Sequence, residues 1–389
     1  MRIAWITRSF LDYRVPVFAA LDRLVGGTLS VTFNGDYVPV SVTAKTMHCL
    51  GARAHPLYGE LRLGGEDQHH LANRNLSLRF QPGLGRHIRA LNPDVLVCDG
   101  FFKWTLPALV DRLRRGTPLV ILYERTAHTE RHAQAIRTRF RRAVIRVTDA
   151  MGCSGRLCQA YSESLGMPAE RITRGHMSAD TAGLQRAVAA LPEGQRAETR
   201  ARLGLAGRVF LYVGRIDQRK GCRALIEAWR RARFASDEAT LLMVGDGPDL
   251  PALRAAAPAD VVCTGRLPYS ALPEYYAAAD AFVIATLEDN WSLVVPEAMA
   301  CGLPVLSSIY NGCWPELVRP GENGWTFDPT DQAGFAQTLR TAQITGPRLA
   351  EMGQRSREIV ADYGPEAAAR SIKDACTIAL ARRRGNLAA

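Results

Sequence analysis

Two hydrophobic periods alternate along the chain. Short β-branched runs bounded by turn residues, "RIAWIT", "LSVTFNG", "PDVLVCDG", "PLVILY" and "DAMGCSG", predict strands in the first half. Between them lie longer segments with helical spacing, among them "VPVFAALDRLV" and "ALVDRLRRG". The second half repeats the habit with "RVFLYVGR", "TLLMVGDG", "DVVCTGRL", "AFVIAT" and "LPVLSS". Helices such as "CRALIEAWRRAR" separate these runs, with Leu225, Ile226 and Trp229 on one face. Strands that are apolar throughout belong to parallel sheets covered on both sides. The pattern therefore predicts α/β architecture: two doubly wound Rossmann-like domains in series, facing a central cleft. The expected boundaries are 1–178, 179–365 and a closing helix, 366–389, that packs back on the first domain. Residues 190–207 are polar without a clear period and predict a connection.

In open parallel sheets ligands sit at the carboxyl ends of the strands, so the residues following each strand are the candidates. After "FLYV" comes "GRIDQRKG". Gly214 permits a tight turn there. Arg215 and Lys220 bring a guanidinium and an ammonium to the start of a helix, which suits a diphosphate. Gly245 and Gly247 allow close backbone approach after the next strand. The turn Thr264-Gly265-Arg266 offers backbone groups to a nucleotide base. The stretch "LEDNWSLVVPEAMACG" then places Asp289 in a loop and Glu297 about one turn into a helix. Ser292 is the expected N-cap, and Pro296 is tolerated in the first turn. Open N–H groups at that helix start are expected to face an anion or a hydroxyl. A carboxylate accepts two hydrogen bonds from a vicinal diol, as a sugar requires. Each feature alone also has an ordinary structural explanation: a turn glycine, a surface cation, a capping carboxylate.

Taken together, "VGRIDQRKGCRALIEAW", "LMVGDGP", "VVCTGRLPYSALPEYYAAADAFV", "EDNWSLVVPEAMACGLPVLSS" and "WPELVRPGENGWTFDPTD" resemble the donor half of glycosyltransferase family 4, retaining enzymes of the GT-B fold. The resemblance runs in order from Arg208 to Asp331. The family's hallmark is a pair of acidic residues with seven others between them, a spacing that Asp289 and Glu297 hold. The resemblance implies that Glu297 binds the donor ribose and that Asp289, or the longer Glu288 beside it, holds the transferred sugar. It implies that Arg215 and Lys220 grip the diphosphate. Gly214, Gly245, Arg266, Asn290, Trp291, Ser292 and Leu293 complete the implied donor site. Two positions depart from the family: Asp replaces the first Glu, and Trp291-Ser292 replaces Phe-Gly. Charge that grows on the leaving phosphate would meet Arg215, Lys220 and the helix start without a metal. No cofactor is expected, because the nucleotide sugar is a substrate. No protein nucleophile is expected either, since such enzymes are held to use front-side attack. The implied function is sugar transfer in envelope glycan synthesis (lipopolysaccharide or exopolysaccharide), with a glycan or lipid-linked acceptor. Alternatives are glycosylation of a soluble metabolite, nucleotide-sugar epimerisation and non-catalytic sugar binding.

The first half offers acceptor-side candidates. They are Tyr13 and Arg14 in "LDYRVPVF", Asp99 and Lys103 after "PDVLVC", and His128 in "ERTAHTERH". Glu124 follows "PLVILY", where the family often has His, and is a catalytic candidate as well. His176, in "RGHMSAD", is expected to be structural.

Charge changes the picture further. The chain carries a formal net charge of +11, and residues 1–178 alone hold 25 basic against 14 acidic residues, which is all of it. That half should meet phosphate, an acidic glycan or an anionic membrane face. The densest basic segment is "RHAQAIRTRFRRAVIRV". Its residues Ile136, Phe140, Ala143, Val144 and Val147 form a stripe expected to cover the sheet. Arg137, Arg141, Arg142 and Arg146 are expected to face water and draw the domain toward anionic lipid. No nucleic-acid motif appears. No apolar run approaches the ~18 residues of a membrane span, and Ile3–Ile6 is too short for a signal segment. The nine scattered cysteines read as buried thiols of a cytoplasmic protein, working at the inner face of the membrane if lipid is the acceptor. Cys153 and Cys158 lack partners for zinc.

Overall fold

A computed structural model describes residues 1–63, 78–101 and 104–387. The chain forms two compact units, Met1–Ser178 with Pro365–Ala389, and Ala179–Gly364.

The first unit opens with β1 (Ile3–Ile6), β2 (Leu29–Asn34) and β3 (Ala54–Leu57). A small antiparallel hairpin, β4 (Leu61–Leu63) and β5 (Leu78–Phe80), stands apart from the main sheet. The sheet continues with β6 (Val95–Asp99), β7 (Leu119–Tyr123), β8 (Ala150–Cys153) and β9 (Ile172–Arg174). Its order is β3-β2-β1-β6-β7-β8-β9, parallel throughout. Both faces are apolar, as parallel strands require. Ile3, Trp5, Val95, Val97 and Val120 pack beneath helices Arg14–Leu24, Val40–Leu50 and Pro365–Leu387. The intervening residues Ala4, Ile6, Leu96, Cys98 and Ile121 pack beneath helices Leu84–Leu91, Thr105–Arg115 and Ala135–Val147. The closing helix contributes Ala368, Ile372, Ala375 and Ala379 to the core of the first unit. It adds five basic and two acidic residues, taking that unit to +14 and leaving the second at −3.

The second unit contains β10 (Arg208–Val213), β11 (Ala239–Val244), β12 (Val261–Gly265), β13 (Ala281–Ile284), β14 (Val305–Ser308) and β15 (Gly324–Phe327). The order is β12-β11-β10-β13-β14-β15, again all parallel. Phe210, Tyr212, Leu241, Met243 and Val283 meet helix Cys222–Ala232, whose Leu225, Ile226 and Trp229 are buried as their spacing predicted. Each sheet reverses its strand order once, at β1/β6 and at β10/β13. A reversal leaves a crevice beyond the carboxyl ends of the two strands.

The structure corrects several expectations. Strands β3, β9 and β15 were not legible, being edge strands that are only partly buried and so not apolar throughout; β3 also carries Pro56, which an edge strand accommodates. Residues 190–207 are no plain connection, since Gln195–Leu203 is a helix. Charge rather than an apolar stripe holds it: Arg196 and Arg200 each reach Asp280 at 2.6 Å, and Asp280 also accepts the Val209 N–H at 2.7 Å. On helix Ala135–Val147 the buried side chains are Arg141, Val144 and Ile145, while Ile136 is 65% exposed. Arg141 turns inward because Glu130 accepts its guanidinium at 2.7 Å, with the Tyr161 hydroxyl at 3.3 Å. Among the described residues no helix is long and apolar enough to cross a membrane.

Candidate functional site

The order reversal in the second unit brings together the loops after β10 and β13. The loops after β10 and β11 are packed backbone to backbone. A Cβ on Gly245 would lie 1.8 Å from the Gly214 carbonyl oxygen, and one on Gly247 would lie 2.2 Å from that of Ile216. Only glycine fits such approaches. They border a cavity of about 380 Å³ lined by Gly214, Arg215, Gly245, Gly247, Arg266 and Leu272. Arg215 is largely exposed, and Asp217 accepts its Nε at 2.9 Å. The other Asp217 oxygen accepts the Lys220 N–H at 2.9 Å, capping the short turn Gln218–Lys220. Gly221 follows at φ +68, where a Cβ would stand 1.9 Å from the Ala285 oxygen. The β10 loop is thereby pressed against the end of β13.

That approach delivers the Lys220 ammonium to Asp289, whose Oδ2 also accepts the Ser292 hydroxyl. The Trp291 N–H donates to Oδ1 at 3.3 Å. Burial pushes the Asp289 carboxyl upward, but Lys220, Ser292 and Arg219 outweigh it and hold the group below the usual carboxylate range. The loop itself is fastened by the segment after β14. The Gly312 N–H donates to the Asp289 carbonyl at 3.0 Å, and Asn311 Oδ1 accepts the Ser292 N–H at 3.4 Å. Glu288 is 4% exposed, and it is Asp289 that faces Lys220.

Glu297 lies in helix Val294–Ala300 and is buried. Its two oxygens accept one hydroxyl each, from Tyr269 at 3.2 Å and Tyr276 at 3.1 Å. Burial pushes its pKa up to about 7; Asp180 adds to the effect, and the two hydroxyls oppose it. Tyr276 is buried, whereas Tyr269 is 53% exposed. The carboxylate therefore already holds two hydroxyl groups, one of them on a half-exposed side chain.

One expectation fails here. Ser292 is not the N-cap, a place taken by Leu293 without a side-chain bond, because the Ser292 hydroxyl is drawn to Asp289. The N–H groups of Trp291 and Ser292, which precede the helix, are accepted by Asp289 and Asn311. Asn290 Oδ1 and Trp291 Nε1 are buried with no partner among the described residues. Leu293 is half-buried beside them. Sequence reasoning passed over Tyr269, Tyr276, Asp217, Asn311 and Gly312. The tyrosines had one available signal, a seven-residue spacing that places them on one side of a helical segment.

In the first unit, Tyr13 and Arg14 follow β1, Asp99 ends β6, and Glu124 follows β7. Arg14 is buried; it donates to the His176 carbonyl at 3.0 Å and lies 3.5 Å from Glu124. Asp99 is one of its charged neighbours and has a buried Oδ1 without a partner among the described residues. Burial raises the Tyr13 hydroxyl, against the pull of Arg14. Burial and the Arg14 charge push His176 down to about 3, and its Nε2 donates to the Tyr123 carbonyl at 2.9 Å. His128 is half-buried in a turn, and Lys103 lies outside the described residues.

Residues 207–343 match the family model of the glycosyl transferases group 1. Over 172 residues the chain is 32% identical to a sulfoquinovosyl transferase of Arabidopsis thaliana, covering 43% of this chain and 32% of that protein. Over 180 residues it is 33% identical to a GDP-mannose-dependent alpha-(1-6)-phosphatidylinositol monomannoside mannosyltransferase of Mycolicibacterium smegmatis, covering 43% and 47%. The chain thus spans about a third of the length of the first relative and about half of the second. The solved structure of Anabaena HepE in complex with UDP superposes with a TM-score of 0.75 over 97% of this chain and 100% of that one, at 16% identity. At that identity the likeness is one of fold, and the fold is GT-B.

Proposed function

We propose, from the premise that residues 207–343 belong to the group 1 glycosyl transferases, that the chain transfers a sugar from a nucleotide-diphosphate donor to an acceptor hydroxyl. The observation that carries this reading is the pair of carboxylates at the β10/β13 reversal, Glu297 buried and Asp289 mostly so. Asp289 is clamped by Lys220, and Glu297 is held by two hydroxyls. Beside the glycine-lined cavity, these groups suit the three parts of a nucleotide sugar. The cavity takes the base. Glu297 exchanges the half-exposed Tyr269 hydroxyl for those of the ribose. Arg215, exposed at the cavity rim, meets the diphosphate. Asp289, with one oxygen committed to Lys220 and Ser292, orients hydroxyls of the sugar, and the unpartnered Asn290 and Trp291 atoms add contacts beside it.

When the sugar–phosphate bond breaks, negative charge grows on the leaving diphosphate. Cations fixed beforehand stabilise that charge more than they stabilise the bound donor, which lowers the barrier. Arg215 and Lys220 fill this role, so the reaction proceeds without a metal. Attack from the face the diphosphate leaves retains the anomeric configuration and needs no protein nucleophile, as the family resemblance implies. The acceptor is a glycan or glycolipid of the cell envelope, engaged by the polar cluster of Tyr13, Arg14, Asp99 and Glu124. The phosphatidylinositol monomannoside in the name of one relative supports that choice.

Calorimetry with a panel of nucleoside diphosphates and their sugars tests the donor site. Saturable binding that Glu297→Gln weakens is the expected result. Wild-type protein that binds none of the panel overturns the reading.

A further inference from the structure

One face of the first unit is unusual in both charge and polarity. Helices Leu84–Leu91, Thr105–Arg115 and Ala135–Val147 cover the same side of its sheet through Leu84, Ile88, Ala108, Val144 and Ile145. They hold ten arginines and one acidic residue, Asp111, which is buried. Their outward positions do not read as an ordinary solvated surface. On Thr105–Arg115, Leu106, Val110 and Leu113 are 36%, 46% and 64% exposed. Their spacing of four and three residues aligns them as one aliphatic stripe. On Ala135–Val147, Ile136 is 65% exposed, and Arg139, Arg142 and Arg146 share the outer face at helical spacing. Arg86, Arg89 and Arg114 are exposed as well. None of these six arginines has an acidic partner among the described residues.

We propose that this three-helix face docks on an anionic lipid bilayer, with Leu106, Val110 and Leu113 entering the headgroup boundary and the arginines meeting lipid phosphates. The inference does not rest on the transferase reading, which concerns the second unit. Charge complementarity selects an anionic surface, because six exposed arginines of the face have no acidic partner among the described residues and the face belongs to the unit carrying +14. The aliphatic stripe selects lipid over nucleic acid. A phosphate-backbone binder has no use for bare leucines, and the exposed positions carry no aromatic ring on which a base could stack. Apolar side chains flanked by arginines are the composition of an interfacial membrane contact. Arg141, expected from the sequence to take part, does not, since it is buried against Glu130.

The test is co-sedimentation with vesicles of phosphatidylcholine alone and of phosphatidylcholine with phosphatidylglycerol, at low and high salt. Heparin and single-stranded DNA serve as competing polyanions. Wild-type protein should bind the mixed vesicles at low salt and lose them at high salt. Each of Arg139→Gln, Arg142→Gln and Arg146→Gln should weaken partitioning about fivefold, the ratio that corresponds to ~1 kcal/mol per surface charge. Leu106→Ser with Leu113→Ser should weaken it at constant charge, and the thermal midpoint of each variant checks that the fold is kept. No binding to mixed vesicles at low salt overturns the proposal. So does binding to DNA or heparin in preference to vesicles, or vesicle binding that is indifferent to the leucine substitutions.

Discussion

Lys220 and Asp289, 69 residues apart in sequence, form an ion pair across the point where the strand order of the second sheet reverses. Both side chains are mostly buried, at 19% and 13% exposure, and Ser292 completes the arrangement on the same carboxylate oxygen. The two residues sit on opposite sides of the β10/β13 crevice, so the bond closes it from within the unit. The cation proposed for the diphosphate and the carboxylate proposed for the sugar are therefore one electrostatic unit.

Removing one member should cost more than removing both. Lys220→Ala leaves a buried carboxylate without its cation, a loss of about 3 kcal/mol. In thermal denaturation the Lys220→Ala, Asp289→Asn double variant should recover much of that loss, whereas turnover should stay low in both. Equal midpoints for the single and double variants would show that the pair is not coupled.

Glu297 sets a pH dependence. Its pKa rises from 4.5 to about 7 on folding, so the folded chain binds the proton more tightly than the unfolded chain. Its contribution to stability is therefore present below about pH 4.5 and is lost as pH rises to about 7. At 1.36 kcal/mol per pH unit the loss is at most about 3 kcal/mol. Denaturation profiles of the wild type and Glu297→Gln should converge at low pH, with the wild type losing stability relative to the variant toward pH 7. Donor affinity should run the opposite way, weakening as the carboxylate protonates, and at high pH the glutamine variant should bind donor ~1–3 kcal/mol less tightly. Parallel profiles would place the titration elsewhere.

Arg215 separates catalysis from folding. It is exposed, and its bond to Asp217 is a surface pair of small value. Arg215→Ala should leave the thermal midpoint within the range that corresponds to ~0.5 kcal/mol while lowering kcat. Turnover of the wild type should persist in excess EDTA, because protein cations meet the leaving-group charge. Wild-type kcat in the alanine variant, or a strict need for a divalent ion, would relocate the diphosphate contact.

Gly312 should be intolerant in a way its sequence context does not announce. A Cβ there would meet the Asn290 carbonyl oxygen at 1.9 Å, spreading the loop that carries Asp289. Gly312→Ala should cost about 1–3 kcal/mol and weaken donor binding with it. Gly85→Ala is the control: it lies in a helix with its nearest neighbour at 3.9 Å, so it should be neutral or stabilising. If both glycines tolerate alanine equally, close approach is not what fixes the loop.

The sequence by itself determined the α/β class and the fully buried strands, because a buried parallel strand must be apolar on both faces and such runs stand out along the chain. It located the loops after β10 and β13 for the same reason, since they begin where those runs end. It could not find β3, β9 or β15, edge strands whose partly exposed residues break the apolar run. It also misjudged helix Gln195–Leu203, which is held by two arginines on Asp280. What only the tertiary structure decided is which polar group meets which. Lys220 with Asp289, the tyrosine hydroxyls on Glu297, Arg141 turned inward to Glu130, and Asn311 with Gly312 behind the Asp289 loop all join residues from separate elements. Hydrophobic period is a local property that the chain states everywhere along its length. Pairing of charges and hydroxyls depends on the few ångströms between elements that only packing sets, so the chemistry of the site is written by the fold rather than by the pattern.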